Sequence, residues 1–483
     1  MRTRRTIVFA LVMMISVAAM SQQANTLYYM NRVFQSQTVN VSAIPENKIQ
    51  IGGLIVPVFG QLPPPLYFNY GNNSFNYNHI LHYGAGDMKD SLVIDLPLLM
   101  KKAKNTIAIR NELRWDYLNF SLKTKSNATF SVSIADRLMF GTTIPRDMLD
   151  FVINGNAPYM YEGKMHDFSK LSFSVNGFHE VGLGFATTFA SKFSVGARMK
   201  LLFGMFDVSS KVSRLSVTTD PETFFITADA DFQLRKSLPF IEITDTGINK
   251  DFSSKSFLKM LSTFGNPGVA VDLGLTYNIT DNMSVSVSAT DIGFINWMQD
   301  AQVASANGET TIEGLEIGLS KDENGKLQYS LVNMPQKDSI GQYILDTVVE
   351  LFDMNIKDKK YIGWLPSNVY VDFSYKFHEK FSLGLLYRGE FYRKSYIQAV
   401  TLSANSNITH WLSLHASWSL IDNTVANLGF GFSARLGFIT WYMVTDNVLA
   451  FVFPQKAKTL NLHMGCNLTF GHAKKKSRTA AKL

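Results

Sequence analysis

Residues 460–470 read Leu-Asn-Leu-His-Met-Gly-Cys-Asn-Leu-Thr-Phe. Every even position is apolar (Leu460, Leu462, Met464, Cys466, Leu468, Phe470), and every odd one is polar or glycine (Asn461, His463, Gly465, Asn467, Thr469). Successive strand side chains point to opposite faces, so this segment has one greasy face and one wet face. Its length matches the roughly 9–11 residues that a tilted strand needs to cross a bilayer. An amphipathic last strand ending on an aromatic suits the seam of a membrane β-barrel. Taken alone, it also fits an edge strand of a soluble sandwich.

The rest of the chain decides between them. Phe130, Val132 and Ile134 alternate with serines, as do Leu171, Phe173 and Val175. Val195, Ala197, Met199, Leu201 and Phe203 stand opposite Arg198 and Lys200. Val269, Val271, Leu273 and Leu275 oppose Asp272 and Thr276, and Met283, Val285 and Val287 follow between serines. The C-terminal third repeats the pattern in 369–377, 381–387 and 412–420. Period-2 patterning sustained over so many long segments predicts strands that face two different solvents. Phe189-Ala-Ser-Lys-Phe193, Phe377-His-Glu-Lys-Phe381 and Ile279-Thr-Asp-Asn-Met283 share one turn plan, with a large apolar residue closing one strand and opening the next. Such turns are expected at the periplasmic rim. Long connections are expected at the other, extracellular end, at 140–168, 236–267 and 294–366, the last with a short helix at 342–352.

Residues 1–21 read as a secretory signal, with Arg2, Arg4 and Arg5 ahead of the apolar run 7–19 and a small-residue site at Ala19-Met20-Ser21. That run is shorter than the roughly 20 residues of a membrane helix. The single cysteine, Cys466, excludes an internal disulfide framework. The formal charge of +7 misleads, because the three signal arginines and the tail cations Lys474, Lys475, Lys476, Arg478 and Lys482 exceed it. The remaining body is close to neutral, which gives a nucleic-acid partner no support.

Residues 22–105 form an irregular leader, broken by Gly52-Gly53 and Pro63-Pro64-Pro65, with a short helix within 92–104 carrying Leu96, Leu99 and Met100 on one side. The stretch 22–65 is expected to act as a hatch in the lumen. Residues 106–471 make the barrel and 472–483 a basic periplasmic tail.

Chemistry is sparse. His415 and Ser417 share a strand face, but Leu414 and Ala416 take the lipid side, so the pair faces the lumen and reads as a hydrogen-bond network. The nine histidines form no His-x-x-x-His or Glu-x-x-His cluster, so no metal site is expected. Asp220-Pro-Glu222 and Asp281-Asn282 read as turns. No nucleotide loop and no catalytic, cofactor-binding or metal residue is assigned, and the chain is not expected to be an enzyme. Asp372, Lys376, Arg388, Glu390, Arg198 and Lys200 are of both signs on lumen faces and should pair across strands, narrowing the pore.

Trp441-Tyr-Met-Val-Thr-Asp-Asn-Val-Leu449, followed by the last strand and Gly471, resembles the end of a Bacteroidota family of outer-membrane barrels of unassigned function. That family closes on Tyr-x-x-x-Asp-Asn-x-Leu and Asn-Leu-x-x-Gly-x-Asn-Leu-x-Phe-Gly. Its leader pattern, Pro-Gln-x…Asn-Pro-Ala, stands here as Phe34-Gln35-Ser36 and Asn40-Val41-Ser42, without either proline. The resemblance implies a fold similar to that of the long-chain fatty-acid transporter barrels and their type IX secretion shuttle relative, with a hatch and about fourteen strands.

The sequence therefore predicts an all-β transmembrane antiparallel barrel of about fourteen strands, within roughly 12 to 16, in the bacterial outer membrane. The expected function is passive transport of a hydrophobic or small solute, with outer-membrane lipid around the wall. The alternative is a scaffold without transport that docks a secreted or surface protein at 294–366.

Overall fold

The structure is a computed structural model. It describes residues 24–53, 66–76, 81–83, 92–154, 163–190, 192–223, 225–244, 247–250, 253–262, 264–312, 317–321, 327–331, 354–422 and 424–472. The expected signal, the basic tail and the helix at 342–352 lie outside these residues.

Fourteen antiparallel strands close into one barrel. The first is assembled from two pieces, β1 (Asn47–Gly52) and β2 (Leu66–Asn72). Then come β3 (Thr106–Lys123), β4 (Thr129–Pro145), β5 (Ser172–Phe189) and β6 (Phe193–Thr219). A side strand, β7 (Ile226–Ser237), precedes β8 (Pro267–Asn278) and β9 (Met283–Trp297). Three more side strands follow: β10 (Ala301–Ile312), β11 (Asn355–Asp358) and β12 (Tyr361–Trp364). The wall resumes with β13 (Ser367–His378), β14 (Phe381–Tyr392), β15 (Ser395–Ser406) and β16 (Leu412–Ile421). It ends with β17 (Thr424–Leu436), β18 (Ile439–Thr445) and β19 (Thr459–His472).

The seam differs from the simplest expectation. β19 meets the split first strand, with Ile49 opposite Phe470 and Leu66 opposite Met464, and both pieces also pair with β3. The wall thus begins at Asn47 and not at 106. The chain leaves the sheet at Gly53, whose φ of +117° suits glycine and whose Cβ would strike the Tyr117 carbonyl. The helix expected within 92–104 spans Leu96–Lys102, and the Asp95 side chain caps it by accepting from the Leu98 N–H at 2.8 Å.

The alternation in sequence becomes an inside–outside partition. Leu273 is 51 % exposed and Val271 39 %, whereas Asp272 between them is 0 % exposed. A soluble sandwich would bury the apolar set instead, so the exposed apolar band identifies a lipid-facing wall. At the tight-turn rim, Phe193 stacks on Tyr277 at 4.7 Å, Phe377 on Phe381 at 6.1 Å and Phe438 on Phe470 at 6.2 Å. No helix among the described residues is long and apolar enough to cross a membrane.

The expected extracellular connections are only partly loops. β6 runs to Thr219, far beyond the rim, and its distal half pairs with β7, which pairs with β10, which pairs in turn with β11. β12 pairs with the distal end of β9. The stretch 294–366 is therefore not one long loop; its parts at 301–312 and 355–358 build a crown sheet on the barrel, while 317–321 pairs only with 327–331. Polar, charged composition hid these strands, because a sheet rising above the membrane needs no lipid-facing stripe. At the crown tip, Asp220 accepts from the Thr223 and Glu222 N–H groups at 2.7 and 2.9 Å, which holds its carboxyl below the usual range.

Candidate functional site: the plugged lumen

A barrel with a polar inner face needs something to satisfy that face, and here the chain's own N-terminal segment supplies much of it. Residues 24–46 lie inside the lumen, with short 3-10 turns at Leu27–Tyr29 and Phe34–Thr38. Ala24, Leu27, Tyr28, Met30, Val33 and Val39 form an apolar core with the lumen residues Tyr370, Leu386, Tyr442 and Val444. The polar groups of the plug reach the wall all round. Asp446, fully buried, accepts from the N–H groups of Asn25 (3.0 Å) and Thr26 (2.7 Å) and from the Thr26 hydroxyl (2.5 Å). The Tyr29 hydroxyl donates to Asp372 at 2.6 Å, and Ser42 meets Thr276 at 2.7 Å. Burial, with Asp372 nearby, pushes both the Tyr28 and the Tyr29 phenol upward, so both stay protonated.

Glycines on the wall make the seat. A Cβ at Gly196 would collide with the Val41 carbonyl, one at Gly274 with the Ser42 backbone, and one at Gly384 with the Tyr29 ring. The plug backbone thus lies directly on strands β6 and β8.

Beyond the plug lies a belt of buried charge. Arg110, Arg114, Arg137, Arg198, Lys200 and Arg388 face Glu112, Asp116, Glu180, Asp272, Asp291 and Glu390, all under a tenth exposed. Arg137 binds Glu112 (2.7 Å), Glu180 (3.1 Å) and Asp291 (2.8 Å). Lys200 bridges Asp272 (2.8 Å) and Asp291 (2.6 Å), and Arg114 bridges Asp116 (2.8 Å) and Glu180 (3.0 Å). Arg110 pairs with Glu390. The two signs balance, as buried charges must. A bulge between Val271 and Leu273 and the left-handed Asp291 (φ +60°) set the geometry. Past the belt the interior turns apolar, with Phe178, Leu202, Ala270, Ile295 and Trp297 in one cluster.

At the tight-turn end the lumen is open on one side. A cavity of about 920 Å³ enters at Lys376, Lys380 and His410 and ends blindly against Tyr29, Arg32 and His415.

The lumen charges expected from sequence divide accordingly. Arg198, Lys200, Arg388 and Glu390 join the belt; Asp372 holds the plug; Lys376 stays exposed at the mouth. Arg198 also lies 5.9 Å over the Phe34 ring. His415 hydrogen-bonds Asn405 at 2.9 Å, and Ser417 meets Thr26 at 2.7 Å, so the two belong to the lumen network. Sequence reading missed Glu112, Arg114, Arg137 and Glu180. Their alternation in 107–123, 129–145 and 172–189 was available, but charges so dense on a lumen face carry no partner information. Asp446 stands out in the sequence only as part of the 441–449 motif.

Such an arrangement defines a class: a fourteen-stranded barrel of the outer-membrane type, plugged from within by its own N-terminal segment. The chain belongs to a family of unknown function, DUF5723, whose model matches residues 44–446. No curated protein matches it. Among solved structures it is similar to a TodX monoaromatic hydrocarbon channel mutant, at 9 % identity and TM-score 0.40, over 94 % of this chain and 96 % of that one. A Pseudomonas aeruginosa FadL homologue matches at 9 % identity and TM-score 0.39, over 94 % and 100 %. The Ralstonia pickettii toluene transporter TbuX matches at 11 % and 0.34, over 85 % and 91 %.

Proposed function

We propose that this chain is an outer-membrane conduit for a hydrophobic or small solute, held shut by residues 24–46. The observation that carries the reading is the seat of the plug. The plug rests on glycines and on hydrogen bonds that water can replace, each worth about 1 kcal/mol net. It also covers an apolar lumen patch, Tyr370, Leu386, Tyr442 and Val444, that a water-filled porin has no use for. The charge belt is the opposite kind of barrier. Separating its pairs leaves buried ions without partners, so the plug is the element that moves and the belt is the frame.

A locked plug tests this. In a Cys466→Ser background, Ser42→Cys with Thr276→Cys places two thiols where the hydroxyls now meet at 2.7 Å. Over the unaided rate of protein-free liposomes, proteoliposomes should take up toluene faster when the pair is reduced than when it is oxidised. Equal uptake in both states, or none in either, removes the gated-conduit reading.

A second reading has its own observation. The crown sheet of β7, β10 and β11 extends the wall of β6 and offers a platform for a secreted or surface protein. A stoichiometric partner recovered from cross-linked cells, and lost on removal of the crown, would favour that scaffold.

A further inference from the structure

We propose that the blind pocket at the tight-turn mouth is a docking site for an acidic peptide segment of a partner protein, which binds Lys376 and Lys380 and rests on the exposed underside of the plug. The inference rests on the gated-conduit reading for its consequence, not for the binding itself.

Size comes first. At about 920 Å³ the pocket is at the upper end of ordinary ligand sites, large enough for a short chain end. Its charge is unbalanced in a way the belt's is not. The lining cations Arg32, Lys123, Lys376 and Lys380 outnumber its carboxylates, Glu46 and Glu379. Arg32 is occupied by Glu46 (2.9 Å) and by the Thr409 carbonyl (2.9 Å), and Lys123 donates to the Pro45 carbonyl at 3.0 Å. Lys376 and Lys380 have no side-chain partner among the described residues, and both are exposed. Two unneutralised ammonium groups at the mouth of a concave polar site select for an anion.

The lining then argues for a peptide. Ser382 and Asn407, both partly exposed, offer a hydroxyl and an amide suited to a backbone. The position supplies the functional link. Tyr29, Asn31, Arg32 and the Ile44-Pro45-Glu46 turn form the far side, so an occupant touches the plug itself. Tyr29 is also the residue that holds Asp372, and a ligand displacing it would release one of the plug's wall bonds.

The test is calorimetric titration of the full-length detergent-solubilised protein with hexaglutamate, with hexalysine as the control of opposite sign. Saturable binding of hexaglutamate alone is expected, weakened about tenfold or more in Lys376→Glu/Lys380→Glu and by added salt. Both lysines are exposed, so the variant should keep the folded, heat-modifiable gel mobility of the parent. No saturable binding, equal binding by the double variant, or equal binding of hexalysine overturns the proposal. Toluene uptake by the thiol-locked protein is a separate readout, so failure of the gate and failure of the site are distinguishable.

Discussion

Lys200 and Lys376 project from the same inner face of the same barrel, yet they occupy opposite electrostatic environments. Lys200 is 3 % exposed and contacts two carboxylates, Asp272 and Asp291; Lys376 is exposed at the mouth. The belt and the vestibule differ in this way throughout. In the belt, each charge is removed from water, so its partners are obligatory and their loss is severe. In the vestibule, water solvates the ammonium groups, and their charge is available to a ligand at little structural cost. One region is a fixed frame; the other leaves its charge within reach of solvent.

Breaking the belt should have the largest effect. Arg137→Ala leaves Glu112 without its ion-pair partner, removes one partner each from Glu180 and Asp291, and should destabilise the barrel by about 3–5 kcal/mol. A lower urea midpoint of the refolded protein would register it. A loss under about 1 kcal/mol would mean that water reaches the belt.

The seat of the plug lies next. Gly196→Val drives a side chain into the Val41 carbonyl and should cost about 1–3 kcal/mol by overpacking. On the gated-conduit proposal, toluene uptake should also rise in this variant, because the strain falls on the plug rather than the wall. Unchanged uptake with lowered stability would make the plug a fixed core.

The rim offers a reference outside both regions. Phe438→Ala removes the stack on Phe470 and should cost about 0.5–1.5 kcal/mol, with no change in uptake. The smallest effect is expected in the vestibule: Lys376→Ala should leave stability within about 0.5 kcal/mol of the parent while weakening hexaglutamate binding. A stability loss like that of Arg137→Ala would erase the distinction between the two regions.

Much of the fold was legible because a membrane wall writes a two-residue period into every strand. Val271, Asp272 and Leu273 announce lipid, lumen, lipid without any partner strand being known. The crown was not legible, since β7 and β10 lie above the bilayer and β10 (Ala301–Ile312) mixes small and polar residues.

The sequence by itself determined which side chains face lipid and which face the lumen, because strand geometry converts parity into direction. It determined as well that lumen charges of both signs would meet. Only the tertiary structure decided which ones do, since Arg137 and Asp291 are far apart in the chain and meet only once the wall curves shut. The same holds for the first strand. β1 and β2 are ordinary in sequence and become one strand only because β19 and β3 leave a gap of one strand between them, which both pieces fill end to end. The plug's place was decided in that way too, by glycines on β6 and β8 that matter only where a backbone comes to rest on them.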